Sequence, residues 1–139
     1  MKKFLEEGLH YFSGIDEIFI PGDEWTDDTD GVVLIIDGQQ YIAYKDPDDG
    51  YRSYGMFSPL YKECEVLTTF PPQLVLIEYH DWDYIDDECY IHFSGSVLTI
   101  RNSENNEEIL RVGTDTSDGY YPMAIFDYHP ENLSINKNR

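Results

Sequence analysis

The chain has 139 residues, of which 41% are hydrophobic and 15% aromatic, enough to build one domain with a real core. Its nine basic residues face 28 acidic ones, for a net charge of −19. Such a charge disfavours nucleic acid and anionic membranes as direct partners and favours basic proteins and divalent cations. Four of the bases, Lys2, Lys3, Lys137 and Arg139, sit at the termini, so the body between them holds 28 acids against Lys45, Arg52, Lys62, Arg101 and Arg111.

Residues 2–12 place Phe4, Leu5, Leu9 and Phe12 at spacings that suit a short one-sided helix, although Gly8 weakens it. Glu6 and Glu7 interrupt any signal-peptide core. No apolar run reaches membrane-spanning length. A cytoplasmic protein with free thiols at Cys64 and Cys89 is the expectation. Residues 15–20 read as a strand stopped by Pro21-Gly22.

Residues 23–30 form an acidic loop, with Asp23, Glu24, Asp27, Asp28 and Asp30 around Trp25. Its likeness to a calcium-binding loop fails, because Thr26 stands at the first ligand position and residues 32–36 are a β-rich run. Residues 32–44 then give the clearest hairpin, with Asp37-Gly38 as the turn. The unbroken apolar run 32–36 implies burial on both faces.

The next feature occurs twice. Asp46, Asp49, Gly50, Tyr51 and Phe57 match Asp115, Asp118, Gly119, Tyr120 and Phe126 at one constant offset. Each copy reads as strand, Asp-Gly turn, strand. Residues 58–72 carry Ser58-Pro59 and Pro71-Pro72 and read as loop with a short strand at 65–69. Residues 74–79 form a confident strand.

The second acidic stretch, 78–88, holds Glu78, Asp81, Asp83, Asp86, Asp87 and Glu88 around Trp82, with no base. Residues 89–100 read as a second hairpin, turning at Ser94-Gly95. A polar loop at 102–107, a strand at 108–112 and a last strand at 121–128 complete the chain. The fold expected is mainly β: an antiparallel β-sandwich or open barrel built of hairpins, one domain over 1–139, with at most a short N-terminal helix.

No catalytic constellation stands out. There is no HExxH, no Gly-x-Ser-x-Gly elbow and no phosphate-cradling glycine loop. Two cysteines without a CxxC do not make a zinc site. His80-Asp81 offers two donors, short of a metal set, so neither a metal nor a cofactor is expected. Arg52 and Arg111 lie in or just before the repeated turns. They suit either ion pairs with Asp46 and Asp115 or a fork for a small anion stacked on Tyr51 and Tyr120.

What remains is a recognition surface of acids interleaved with Trp and Tyr. Two pieces, DGQQYIAYKDPDDGYRSY and VGTDTSDGYYPMAIFDYHPENL, resemble segments of small acidic proteins encoded by bacteriophages and prophages. That resemblance implies an antagonist of host restriction, CRISPR or other defence. The function expected is a non-enzymatic inhibitor that mimics nucleic acid on a basic host nuclease or defence effector, through the acidic residues of both stretches together with Trp25 and Trp82. A small-ligand binder or nucleotide-signal sponge, and a metal-dependent hydrolase, are the alternatives. The two acidic stretches are expected to share one continuous face. Oligomeric state is not legible.

Overall fold

The computed structural model describes residues 3–25, 29–45, 55–86, 88, 91–115 and 123–134. It contains eight strands: β1 (Gly8–Ile20), β2 (Thr29–Ile36), β3 (Gln39–Lys45), β4 (Gly55–Pro59), β5 (Thr68–Asp86), β6 (Ile91–Asn102), β7 (Glu108–Asp115) and β8 (Met123–Tyr128). They form one sheet in the order β4-β3-β2-β1-β5-β6-β7-β8, with every neighbouring pair antiparallel. A single 3-10 turn (Pro130–Asn132) follows β8, and no described helix is long and apolar enough to cross a membrane. The mainly antiparallel β class is as expected. The sheet curls so that β4 meets β7 and β8, and β3 meets β8, around the enclosed core.

The inner face carries that core. Phe12, Leu34, Ile36, Phe57, Ile77, Leu98, Ile100, Leu110 and Val112 are all essentially inaccessible. Tyr41 stacks on Phe57 with ring centroids 5.2 Å apart, and Phe12 meets Phe70 edge-on at the same separation. Leu5 and Leu133 pack into the same cluster from outside the sheet ladder.

The β2–β3 hairpin forms as the sequence predicts. Asp37 and Gly38 have φ of 52° and 78°, the paired left-handed conformations that match the twist of the flanking strands. Val32, Val33, Leu34 and Ile36 are buried, as the unbroken apolar run implies.

The expected N-terminal helix over 2–12 is absent. Residues 3–7 are irregular and β1 begins at Gly8, whose φ of 128° no α-helix allows. An eleven-residue helix is marginal alone. As a strand, the segment instead gains backbone partners on both sides, from β2 and from β5.

Two further expectations fail together. Residues 60–67 are loop, but the short strand expected at 65–69 and the strand expected at 74–79 are one element, because β5 begins at Thr68 and runs through Pro71-Pro72 to Asp86. Phe12 pairs with Gln73 and Gly14 with Thr69, so the prolines lie in a bulge where the ladder asks for no N–H. The hairpin expected at 89–100 does not turn at Ser94-Gly95. Instead β6 continues straight through, setting Ser94 against Asp83 and Gly95 against Trp82. A local turn signal loses here to twelve consecutive pairings with β5, from Val75↔Asn102 to Asp86↔Ile91.

The strands of the two repeats form antiparallel pairs, β3–β4 and β7–β8, at the two ends of the sheet. The turns themselves, with Asp46, Asp49, Gly50, Tyr51, Asp118, Gly119 and Tyr120, fall outside the described residues.

Candidate functional site

The second acidic stretch is built on a strand. β1 last pairs with β5 at Gly8↔Ile77, and β7 last pairs with β6 at Gly113↔Val97. Beyond those points β5 and β6 continue as a two-stranded ribbon, residues 81–86 against 91–96. The ribbon's strands carry Asp81, Asp83 and Asp86, with Trp82 at the register position opposite Gly95. Glu78 stands at its root, Glu88 near its tip, and Asp87 lies outside the described residues. No lysine or arginine occurs between Lys62 and Arg101.

The root of the ribbon is closed by the N-terminal segment. Once β1 stops, the Tyr79 N–H has no strand partner there, and Glu7 Oε1 accepts it at 2.9 Å. Leu5 N–H points to Tyr79 Oη at 3.4 Å, and Lys3 Nζ lies 5.3 Å from the Tyr79 ring centroid.

The first acidic stretch lies elsewhere. Asp30 sits opposite Phe19 near the C-terminal end of β1, while the ribbon leaves from the N-terminal end at Gly8. Twelve residues of strand separate the two ends, on the order of 40 Å. The expectation of one continuous face centred on Trp25 and Trp82 is therefore corrected: a full-length strand intervenes. Asp23 Oδ1 accepts the Trp25 N–H at 2.8 Å, and the Trp25 side chain is 88% exposed. Glu24 is exposed beside it, and Asp27 and Asp28 lie outside the described residues.

On the sheet body two acids, Glu78 and Glu108, stand beside arginines. Arg101 Nε lies 3.6 Å from Glu78, and Arg101 Nη2 lies 3.9 Å from Glu108. Arg111 donates to Glu108 Oε1 from Nε at 3.0 Å and from Nη2 at 2.9 Å. This ladder crosses the outer face of β5, β6 and β7. Arg111, considered as half of an arginine fork for a small anion, is engaged with Glu108. Arg52, Tyr51 and Tyr120, the rest of that alternative, lie outside the described residues.

Among the described residues, Glu108, Asp127 and His129 bring ligand atoms within 4.8 Å of one another. His129 is already flanked, with Asp127 3.1 Å from Nε2 and Glu131 3.4 Å from Nδ1. Its hydrogen bond to Asp127 raises its pKa above the usual imidazole value. With Arg111 on Glu108 and the His129 imidazole between Asp127 and Glu131, the carboxylates of this group already have partners. His80, considered as a metal donor with Asp81, instead places Nε2 3.3 Å from Thr99 Oγ1.

A second histidine ties the fold together. His10 Nδ1 donates to Asp37 Oδ2 and His10 Nε2 donates to the Glu6 carbonyl, both at 2.6 Å. Both partners are acceptors, so the ring that satisfies them is the doubly protonated imidazolium. Burial works against that charge, but the bonds to Asp37 and Glu6 outweigh it and raise the pKa. Burial likewise works to raise the Asp37 pKa, and the bonds from His10 and the Tyr11 N–H reverse it to a net lowering.

One feature of the outer face was not anticipated from the sequence. Leu9 and Tyr11 on β1 pair with Leu76 and Leu74 on β5, which sets four apolar side chains on one exposed patch. The signal was the two-residue spacing of 9 and 11 and of 74 and 76, visible only once β1 and β5 are known to pair. No family model, curated protein or solved structure matches the chain.

Proposed function

We propose that the protein is a non-enzymatic inhibitor that binds a basic, nucleic-acid-handling protein through the β5–β6 ribbon. The observation that supports this reading is the contrast in charge along β5. On the body Glu78 and Glu108 stand beside Arg101 and Arg111, and beyond Glu78 the ribbon carries Asp81, Asp83 and Asp86 in a stretch of sequence without a single lysine or arginine. Unmatched like charges destabilise a fold by self-repulsion, and a field of this kind steers an oppositely charged partner. Carboxylates spaced along a strand offer a basic cleft the kind of charge array that phosphates offer. The resemblance to phage proteins favours a host defence nuclease or effector in the cytoplasm as the target.

The test is affinity capture from the lysate of the host, followed by binding of the purified target across a salt series with labelled nucleic acid as competitor. The target is expected to be basic, to bind fastest at low salt, and to lose the inhibitor as nucleic acid is added. Binding indifferent to salt, or simultaneous retention of inhibitor and nucleic acid, would rule out mimicry.

A further inference from the structure

We infer that the outer face of β1 and β5 at Leu9, Tyr11, Leu74 and Leu76 is a docking surface for apolar and arginine side chains of a basic protein segment. The inference rests on the proposal that the partner is basic, and it adds where the partner is gripped.

Leu9 is 60% exposed, Tyr11 56% and Leu74 36%, in a chain whose core is complete on the other face of the same strands. Leu9 stands against Leu76 and Tyr11 against Leu74, so the four side chains form a two-by-two patch. Beside it the surface dips twice. One depression, about 530 Å³, is walled by Tyr11, Asp37 and Pro72. The other, 280 Å³, is walled by Pro72, Leu74 and Glu104. They share Pro72, each holds one carboxylate, and no lysine or arginine lines either.

The patch is apolar at its centre, with Glu104 and the His10-bound Asp37 at its border and Arg101 opposite Leu76, and an apolar centre with a polar rim can anchor a partner. Charge selects the occupant. A second copy would bring another body of net charge −19 against the first, which repulsion opposes. A basic segment meets the opposite field. Its aliphatic side chains can cover Leu9, Leu74 and Leu76, while a guanidinium can lie on the Tyr11 ring. The patch also continues along β5 into Glu78 and the acidic ribbon, so a partner drawn to the ribbon arrives beside it.

Two synthetic peptides of equal charge test this, one alternating Arg and Leu, the other alternating Arg and Ser. Their affinities are measured for the wild-type chain and for a Leu9→Ser, Tyr11→Ser double variant whose melting midpoint is checked first. The Arg-Leu peptide is expected to bind about tenfold more tightly or better, a difference of about 1.4 kcal/mol, and the variant to lose that preference while keeping its affinity for Arg-Ser. Equal binding of both peptides by the wild type would overturn the docking surface and leave the acidic reading standing. Failure of both peptides to bind at low salt would overturn the acidic reading and the docking surface with it. Should the variant unfold, hydrogen exchange on the wild type decides. Arg-Leu peptide that protects residues 9–11 and 74–76 supports the surface, and protection confined to other segments overturns it.

Discussion

The sheet body and the β5–β6 ribbon are made from the same two strands, yet they treat charge in opposite ways. In the body, β5 and β6 have neighbours on both sides, and Glu78 and Glu108 are matched by Arg101 and Arg111. In the ribbon, no third strand pairs with residues 81–86 or 91–96 among the described residues, and the acids sit in a sequence free of lysine and arginine. Arg101 and Arg111 stand where Glu78 and Glu108 meet on the folded sheet. In the body Glu78 and Glu108 are paired with arginines, and the ribbon's charge is proposed to serve a partner.

The largest effect expected on either side of this divide is in the core. Leu98 is fully buried in the body segment of β6, between Tyr79 and Val112. Leu98→Ala should destabilise by about 2–5 kcal/mol in denaturant unfolding. Asp83→Asn, a few residues further along the same pair of strands, should change stability by less than about 0.5 kcal/mol. Equal losses from the two would mean that the ribbon is as much a part of the cooperative unit as the core.

A smaller effect separates the two kinds of charge. Arg111→Ala removes the closest cation from Glu108, whose side chain is only 14% exposed. A loss of about 1 kcal/mol is expected, discounted for the partial exposure of the pair. Neutralising Asp83 and Asp86 together should leave the melting midpoint unchanged or raise it, because repulsion is relieved. A fall in the midpoint for the ribbon variant would show that its acids have partners within the fold.

The mildest test concerns the His10–Asp37 tie between β1 and the β2–β3 turn. The His10 pKa is raised above 6.5, so its stabilising contribution is complete below that value and is lost as pH rises through the folded pKa. The Asp37 pKa is lowered below 3.8, so its contribution is present above that value and is lost as pH falls through the folded pKa. His129 is also raised, so the wild-type slope has two sources. His10→Gln should flatten, without abolishing, the decline in melting midpoint between about pH 6 and about pH 8. An identical slope in the variant would mean that the tie contributes nothing to stability.

The parts of the fold legible in the sequence are those decided by neighbours in the chain. Asp37-Gly38 makes its turn because both residues tolerate positive φ between two β-rich runs. Ser94-Gly95 carries a similar local signal, but β5 offers every residue of β6 a partner, and pairing across the sheet wins. The segment around Leu9 reads equally well with helical or strand spacing until β2 and β5 are known to flank it. Pro71-Pro72 looks like a break because the bulge opposite Ser13 cannot be foreseen. The same division holds for the site. The acids were visible as runs, but their separation depends on the register of β1. The apolar patch joins residues more than sixty positions apart, which alternation within one strand does not reveal.

The central claim is that the position of the ribbon acids matters, over and above net charge. Two triple variants carry the same change in charge: Asp81→Lys, Asp83→Lys and Asp86→Lys in the ribbon, and Asp23→Lys, Asp27→Lys and Asp30→Lys at the far end of β1. Stopped-flow association with the Arg-Leu peptide, measured across a salt series, compares them directly. Reversal in the ribbon should slow association far more and flatten its salt dependence, while reversal at residues 23–30 should leave most of both intact. Equal slowing by the two variants would contradict the claim and reduce the protein's acidity to a property of its total charge.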